Sequence, residues 1–312
     1  YEVRMRARWV AGSNQLNVHA YYGRLARTLL LEVPPNHGTP GQPNSRLESN
    51  TGPTYSAFGH APLLPTADET VTVSVRADDP RGVDLLTLFY AKDGEDFTSV
   101  PMTETEGNYT ANIPRMAAAT VVQFYVEGTD VLGAVSHFPA AGPASRALYI
   151  VDDGRSTNLP VHEIRLIMKE EDFDFMFDTL NLVSNERLGC SLLLDNKRFV
   201  YDTGVRLKGS PAGRARDGAL YQGFNIAFPP EHLYRGIHSS VSIDRSGRAP
   251  GAGDQDEIYV KHMFNRAGIP GMFDDLGYVV SPTRTHTGTA LFSMARYGWV
   301  FTNSQFKDGD KG

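Results

Sequence analysis

Apolar and polar residues alternate along much of the chain, which is the pattern of β-strands with one buried face. The alternation is clearest over residues 70–77, where valines occupy every second position, and over residues 84–91. Turn sequences rich in Gly, Asp and Pro separate these stretches from three more candidate strands, at 108–113, 121–127 and 147–151. Because no helical pattern interrupts them, residues 54–151 are predicted to form a β-sandwich of the immunoglobulin or fibronectin-III type.

Two different stretches precede the sandwich. Residues 1–34 contain three alternating segments, which are too few for a sandwich and are predicted to be the C-terminal strands of a preceding β domain. Residues 35–53 are rich in Pro and Gly and are predicted to be a linker, since repeated prolines cannot donate to a strand ladder. We expect the chain to belong to a longer protein, because Tyr1 already lies in a strand pattern and Gly312 follows a turn-like sequence.

The pattern changes in the segment 160–312. Apolar residues at 173, 176, 177 and 180 recur with helical spacing, which predicts a helix over 170–182 with these side chains in the core. Strands at 191–194 and 199–207 are predicted to form a hairpin around the polar turn at 195–197.

A second helix is predicted over 254–267. Asp254 and Glu257 have the spacing of a capping box, and Gly268 supplies a stop signal. The side chains predicted to be buried are those of Val260, Phe264 and Ala267. The predicted fold class is therefore multidomain, with a β-sandwich followed by an α+β domain.

Composition and charge narrow the functional classes. The 312 residues carry a net charge of −6, which does not favour a nucleic-acid partner. No apolar run reaches the roughly 18 residues of a membrane-spanning helix, so no transmembrane segment is predicted. The single cysteine, Cys190, excludes an internal disulfide and is predicted to be a buried small hydrophobic residue. The histidines have no metal-ligand spacing, so no metal site is predicted.

The most informative stretch for chemistry is residues 204–218, a strand that runs into a glycine-rich basic loop. Such a loop can present backbone N–H groups and cations to a phosphate, and the candidate side chains are Lys208, Ser210, Arg214 and Arg216. The same residues are also typical of a flexible, solvated hairpin loop. Glu257 has two interpretations as well, since it either orients a lysine or caps its own helix.

The order of several segments resembles the N-terminal half of the spore coat protein H (CotH) kinase-like family. The matching segments are Val161-His-Glu-Ile-Arg-Leu166, Val205-Arg-Leu-Lys-Gly-Ser210, Gly223-Phe-Asn-Ile-Ala-Phe228, Ser242-Ile-Asp-Arg-Ser246 and the helix that ends in Asn265-Arg-Ala-Gly268. The preceding sandwich resembles the Ig-like modules of large bacterial surface proteins, which often stand beside lamin-tail-like modules.

This resemblance implies a partial, atypical protein-kinase-like α+β fold over 160–312 that binds ATP and Mg²⁺ and phosphorylates serines of secreted or coat proteins. It makes Lys208, Ser210, Arg214, Arg216 and Glu257 candidate nucleotide-phosphate ligands. Two departures weigh against activity. Gln222 and Gly223 stand where the family carries lysines, and the half that holds the catalytic and metal-binding aspartates is not in this chain.

Two functional hypotheses follow. The first is an exported bacterial multi-module protein with a CotH-like kinase domain, of which this chain is an inactive part. The second is a non-catalytic structural or adhesive scaffold at the cell surface. Under both, the expected partners are other surface or coat proteins, and exposed strand edges are natural contact surfaces.

Overall fold

The computed structural model describes residues 7, 15–20, 25–31, 41, 48, 50–157, 159–179, 181–182, 184–209, 214, 222–244, 254–295 and 301–302. The chain divides into two compact units, Tyr1–Thr51 and Gly52–Gly312. The first predicted strand, most of the predicted linker, and the loop residues Ser210 and Arg216 lie outside the described residues. The predicted domain boundaries stay predictions.

The first unit contains an antiparallel hairpin of β1 (Gln15–Ala20) and β2 (Leu25–Leu30). Gln15 lies opposite Leu30 and Ala20 lies opposite Leu25. These are the second and third strands that the alternation in residues 1–34 predicts.

The second unit begins with two antiparallel sheets. The first has the strand order β3-β4-β8-β7 and contains Thr54–Ala61 (β3), Val71–Asp78 (β4), Thr103–Thr105 (β7) and Asn108–Ile113 (β8). The second has the order β10-β9-β5-β6, with β11 also paired to β9, and contains Val83–Lys92 (β5), Thr98–Pro101 (β6), Val121–Asp130 (β9), Val135–Phe138 (β10) and Leu148–Ile150 (β11). A short 3₁₀ helix, Gly142–Ala144, precedes β11.

The two sheets share one hydrophobic core. Val71, Val73 and Val75 of β4 are buried against Leu88 of β5 and Phe124 of β9. Each such side chain contributes about 1.5–3 kcal/mol when it leaves water. The alternation in the sequence therefore has the predicted cause. The face of the sheet that carries the valines is buried against a second sheet.

The rest of the second unit is a closed barrel of seven strands in the order β12-β13-β14-β15-β16-β18-β17. Its strands are His162–Ile167 (β12), Leu188–Leu194 (β13), Arg198–Leu207 (β14), Phe224–Ala227 (β15), Ser240–Asp244 (β16), Phe273–Val280 (β17) and Gly288–Ala295 (β18). Alternate residues of these strands fill the interior, among them Ile164, Leu192, Val205, Phe224 and Phe292.

The predicted α+β, kinase-like half of the fold class is wrong. The barrel closes where β12 pairs in parallel with β17, with His162 opposite Gly277 and Arg165 opposite Val280. This pairing joins segments that are more than a hundred residues apart, which alternation within a strand does not reveal. Besides the helical residues 301–302, the described part of this region has two α-helices, so it is mostly β.

The first helix agrees in part with its prediction. Helix α1 (Glu170–Phe177) buries Phe173, Met176 and Phe177, and it ends earlier than the predicted residue 182. A 3₁₀ helix, Pro230–His232, lies between β15 and β16.

The second helix, α2 (Asp254–Arg266), exposes the face that the sequence pattern predicts to be buried. Val260 and Phe264, predicted to be buried, are 42% and 44% exposed, and Ala267 is exposed too. The helix contacts β17 and β18 instead through a side that carries Lys261, whose ammonium binds the Asp274 carboxylate of β17. A polar bond, not an apolar stripe, sets the rotation of α2.

Two local predictions are confirmed. Strands β13 and β14 pair around the loop 195–197, in which Asp195 and Asn196, the central residues of the turn, both have a φ of +52°. Cys190 is fully buried, and burial raises the pKa of its thiol to about 12.

None of the helices in the described part of the chain has the length and apolar character that crossing a bilayer requires.

Candidate functional site

The predicted phosphate ligand Lys208 lies just beyond the end of β14, on the outer surface of the barrel. Its neighbour Leu207 points into the core, so Lys208 points outward by strand alternation. The Lys208 backbone N–H donates to the carbonyl oxygen of Gly223 at 2.8 Å, and the ammonium forms an ion pair with the Asp244 carboxylate of β16.

Gly223 makes this ion pair sterically accessible. Leu207 lies opposite Phe224, which lies opposite Ile243, so Lys208, Gly223 and Asp244 follow one another across three adjacent strands. With no side chain on Gly223, the Lys208 ammonium reaches over the middle strand. The glycine that departs from the family pattern thus supports an internal salt bridge.

Arg214 anchors the start of the basic loop. Its guanidinium donates to the carbonyl oxygen of Ser184 at 2.6 Å and to Oδ1 of Asn185 at 2.8 Å, and its Nε donates to the carbonyl oxygen of Gly209 at 3.2 Å. The side chain is buried, and burial lowers its pKa. These donors hold neighbouring backbone in place.

Glu257 pairs with a lysine of its own helix. Its carboxylate accepts a hydrogen bond from Lys261 at 2.5 Å, one helical turn away. Burial lowers the pKa of Lys261, but its hydrogen bonds to Asp274 and Glu257 outweigh burial and leave the pKa raised. Asp274, with only 1% of its side chain exposed, also accepts a hydrogen bond from Ser293.

The role of the predicted nucleotide candidates stays a prediction. Lys208, Arg214 and Glu257 each bind groups of the protein itself. Ser210 and Arg216 lie outside the part of the chain that the structure describes.

The sandwich and the barrel meet in a buried junction. Leu148 and Ile150 of β11 pack on Ile167 of β12, and Phe199 of β14 packs on the same cluster. The Nδ1 atom of His60 in β3 lies 2.6 Å from the hydroxyl of Tyr201 in β14. The junction is therefore both apolar and hydrogen-bonded.

Ser191 ties the two halves together at the centre of the junction. This buried side chain of β13 donates to the carbonyl oxygen of Arg146 at 2.6 Å and accepts the N–H of Leu148 at 2.9 Å. Arg146 adds an ion pair to Asp172 of α1 at 2.5 Å, and its backbone N–H donates to Asp202 at 2.8 Å.

A cleft of about 510 Å³ opens at this junction, which we call the junction cleft. The sandwich contributes Lys92, Asp93, Glu95, Thr120, Val121 and Ile150. The barrel side contributes Arg165, Met168, Glu170, Phe173, Asp174 and Thr283. Its volume lies in the range of small-ligand sites, about 300–1,000 Å³.

Arginines shape the base of the junction cleft. Arg165, 1% exposed, donates to Asp153 at 2.8 Å and to the hydroxyl of Ser156 at 3.0 Å. Arg155 donates to the other oxygen of Asp153 at 2.5 Å and to the carbonyl oxygen of Ser281 at 2.8 Å. Burial raises the pKa of Asp153, but the hydrogen bonds from both arginines outweigh it and leave the pKa lowered.

Sequence reasoning missed this cleft. From the sequence, the stretch around Asp153 is interpreted as a polar link between the sandwich and the following segment. The sequence did contain a signal. Two aspartates and two arginines lie near the boundary between the sandwich and the barrel, namely Asp152, Asp153, Arg155 and Arg165. Ligand sites commonly form at such boundaries.

Within the described residues, no group of three or more His, Cys, Asp and Glu side chains has the arrangement of a metal site. No family model and no curated protein matches the chain.

Three solved structures share limited similarity with the chain. BhCBM56 is 12% identical with a TM-score of 0.22, over 29% of this chain and 88% of that one. The cycloalternan-forming enzyme from Listeria monocytogenes is 10% identical with a TM-score of 0.25, over 62% of this chain and 16% of that one. The twitchin kinase region from C. elegans is 8% identical with a TM-score of 0.24, over 78% of this chain and 40% of that one. These scores are too low to assign a fold or a function.

Proposed function

We propose that residues 52–295 act as a rigid, non-catalytic structural element of an exported bacterial surface protein, one that holds its surfaces in a fixed relation for other surface proteins to bind. The observation that carries this proposal is the junction between the sandwich and the barrel, centred on Ser191. The proposal is the second hypothesis drawn from the sequence, a non-catalytic scaffold. It differs in that the domain after the sandwich does not have a kinase-like fold.

Rigidity follows from the chemistry of the junction. Domains within one chain move against each other by default, unless their interface is large and apolar. Here aromatic side chains of both halves interlock, since Phe58 and Phe124 of the sandwich contact the Tyr201 ring at centroid distances of 5.3 and 5.6 Å. A hinge motion would also leave the buried hydroxyl of Ser191 and the buried N–H of Leu148 unpaired, which costs about 1–3 kcal/mol for each group.

A test of rigidity uses the full chain labelled with two dyes. Glu106→Cys in the sandwich and Lys197→Cys in the barrel provide exposed thiols, while buried Cys190, with its raised thiol pKa, resists labelling. Single-molecule energy transfer should give one narrow distribution. Two or more interconverting efficiencies would overturn the proposal, and the unlabelled double variant, checked by calorimetry, controls for damage to the fold.

The partners of Lys208 and Arg214 support the absence of catalysis. A phosphate would have to displace Asp244 from Lys208 and break the contacts of Arg214 with the backbone. ATP-dependent serine phosphorylation stays a prediction of the family resemblance.

One assay tests that prediction directly. The full chain is incubated with Mg-ATP and a serine-rich acceptor protein, and phosphoserine is sought by mass spectrometry. We expect no transfer. Transfer that disappears in Lys208→Ala, with Lys197→Ala as the matched control, would establish a kinase and overturn the proposal of a non-catalytic element.

A further inference from the structure

Helix α2 carries an exposed apolar stripe. Val260, Met263 and Phe264 are 42%, 59% and 44% exposed, and Ala267 is exposed as well. Their spacing places the four side chains on one side of the helix. Apolar side chains that gather in one exposed patch mark an interaction site, whereas scattered ones need no explanation.

The opposite side of α2 is attached to the barrel by polar contacts. Lys261 binds the Asp274 carboxylate of β17, and Oδ1 of Asn265 accepts the N–H of Gly271 at 3.2 Å. Rotating α2 to bury its stripe on the barrel would break the Lys261–Asp274 ion pair. Burial of the stripe therefore requires another surface.

The charges along α2 are separated by sign. Asp256 and Glu257 lie near its N-terminus, and Arg266 lies in its last turn. Glu257 is already paired with Lys261. Asp256 and Arg266 are exposed, and neither forms an ion pair within the described residues. A helix with this distribution of charge is complementary to a copy of itself that runs in the opposite direction.

The spacing of these residues fits such an antiparallel pair. A two-fold axis beside position 261 has Asp256 and Arg266 five positions away on either side, so each faces the other residue of the second copy. Both lie on the same side of the stripe as Met263, since a helix turns by about 100° per residue. In an antiparallel pair these like sides meet, and Met263 then lies opposite Tyr259 of the second copy.

We propose that a second copy of this chain docks on α2, with the two helices antiparallel, the apolar stripes in contact and an Asp256–Arg266 ion pair at each end. The 13 residues of α2 span only about 20 Å, so we expect a weak, micromolar dimer. The inference does not depend on the rigid-element proposal, since α2 is exposed whether or not the sandwich moves against the barrel.

Two charge reversals test the direction of the helices. Asp256→Lys and Arg266→Asp each bring like charges together at both ends of the pair, and each should raise the dissociation constant by about tenfold. In an equal mixture of the two variants, opposite charges meet again at both ends. The heterodimer should therefore form with the affinity of the wild type.

The measurement is sedimentation velocity on the full chain between about 5 and about 500 μM, which brackets the expected affinity. Low ionic strength is used because salt screens exposed ion pairs. A fluorescent label on one variant reports the heterodimer in the mixture. Glu186→Lys and Lys197→Asp are the matched controls, because both residues are exposed and neither belongs to α2. Both controls should dimerise as the wild type does.

Met263→Glu separates a second copy from a different occupant of the stripe. A charge at the centre of the stripe should abolish the dimer. In the monomer this side chain is exposed, so the midpoint of urea unfolding at low protein concentration should stay unchanged. A lower midpoint would show that a segment of the same chain covers the stripe, which would overturn the inference.

Three further results would overturn it. The first is a wild type that stays monomeric over the whole concentration range. The second is a dimer that neither Asp256→Lys nor Arg266→Asp weakens. The third is a mixture of these two variants that associates no better than each variant alone, which would exclude the antiparallel arrangement.

Discussion

At the scale of single residues, the partner of a polar side chain decides its role more than its type does. Lys208 has the sequence context of a phosphate ligand, but Asp244 binds it across Gly223. The pairing depends on the register of β14, β15 and β16, and no one of these strands specifies that register alone. Cys190 could be predicted, because its apolar neighbours already specify a buried strand.

His60 carries a prediction about pH at this scale. Its Nε2 lies 3.2 Å from the carbonyl oxygen of Leu63, which can only accept, so Nε2 donates and Nδ1 accepts from the Tyr201 hydroxyl. This arrangement belongs to a neutral imidazole. Burial lowers the pKa of His60 from 6.5 to about 4, and the hydrogen bond to Leu63 opposes it only in part.

Because the folded pKa lies below the ordinary value, the unfolded chain binds the proton first as the pH falls. Stability from His60 is fully present above pH 6.5 and is lost as the pH falls toward 4. We expect a loss of about 2 kcal/mol between about pH 7 and pH 5, measured by urea unfolding.

The double variant His60→Phe/Tyr201→Phe removes both partners and should lose most of this pH dependence. Exposed His232→Gln should keep it. An unchanged slope in the double variant would show that other groups cause the acid sensitivity.

At the scale of elements, turns, hairpins and the buried face of helix α1 could be predicted from sequence, while the orientation of helix α2 could not. The β13–β14 hairpin follows from Asp195 and Asn196, whose short polar side chains tolerate a positive φ. Helix α2 has an apolar stripe that predicts burial, yet the Lys261–Asp274 bond turns that stripe outward. Asp274 lies on a strand that the sequence pattern did not reveal, so its effect on α2 could not be anticipated.

The turn between β7 and β8 can be improved. Glu106 has a φ of +52° and precedes Gly107 at +75°, which is the backbone of a tight hairpin turn. A residue other than Gly, Asn or Asp is strained there. We expect Glu106→Asn to stabilise the protein by about 0.5–1 kcal/mol, since Asn-Gly is the favoured pair in such turns.

Thermal or urea unfolding of the full chain measures this gain. Glu186→Asn, at an exposed site where no positive φ is found, should change stability by less than about 0.5 kcal/mol. Equal effects of the two substitutions would show that charge, not backbone strain, accounts for the change.

At the scale of the molecule, non-local contacts decide the architecture. The sandwich could be predicted because its strands alternate and follow one another closely. The barrel could not, because its closure pairs β12 in parallel with β17. The junction cleft escaped prediction for the same reason, since residues as far apart as Lys92 and Thr283 line it.

The junction predicts one cooperative unfolding unit. In native-state hydrogen exchange, the amides of β9 in the sandwich and of β13 in the barrel should open with the same free energy. Ser191→Ala leaves the Leu148 N–H unpaired and should cost about 1–3 kcal/mol. We expect the free energy of opening to fall by this amount for the amides of both β9 and β13.

Ser184→Ala is the control, because among the described residues the Ser184 hydroxyl accepts a local N–H, that of Glu186. Protection that falls in β13 alone after Ser191→Ala would show that sandwich and barrel unfold independently.

Closure of the barrel also limits where the second unit can take up an additional strand. Each of its seven strands has neighbours on both sides, so an incoming donor strand has no ladder to extend there. In the sandwich, β3, β6, β7 and β10 end their sheets within the described residues. Strand addition to the described part of the second unit would therefore take place at the sandwich, and the barrel would take no part in the extended sheet.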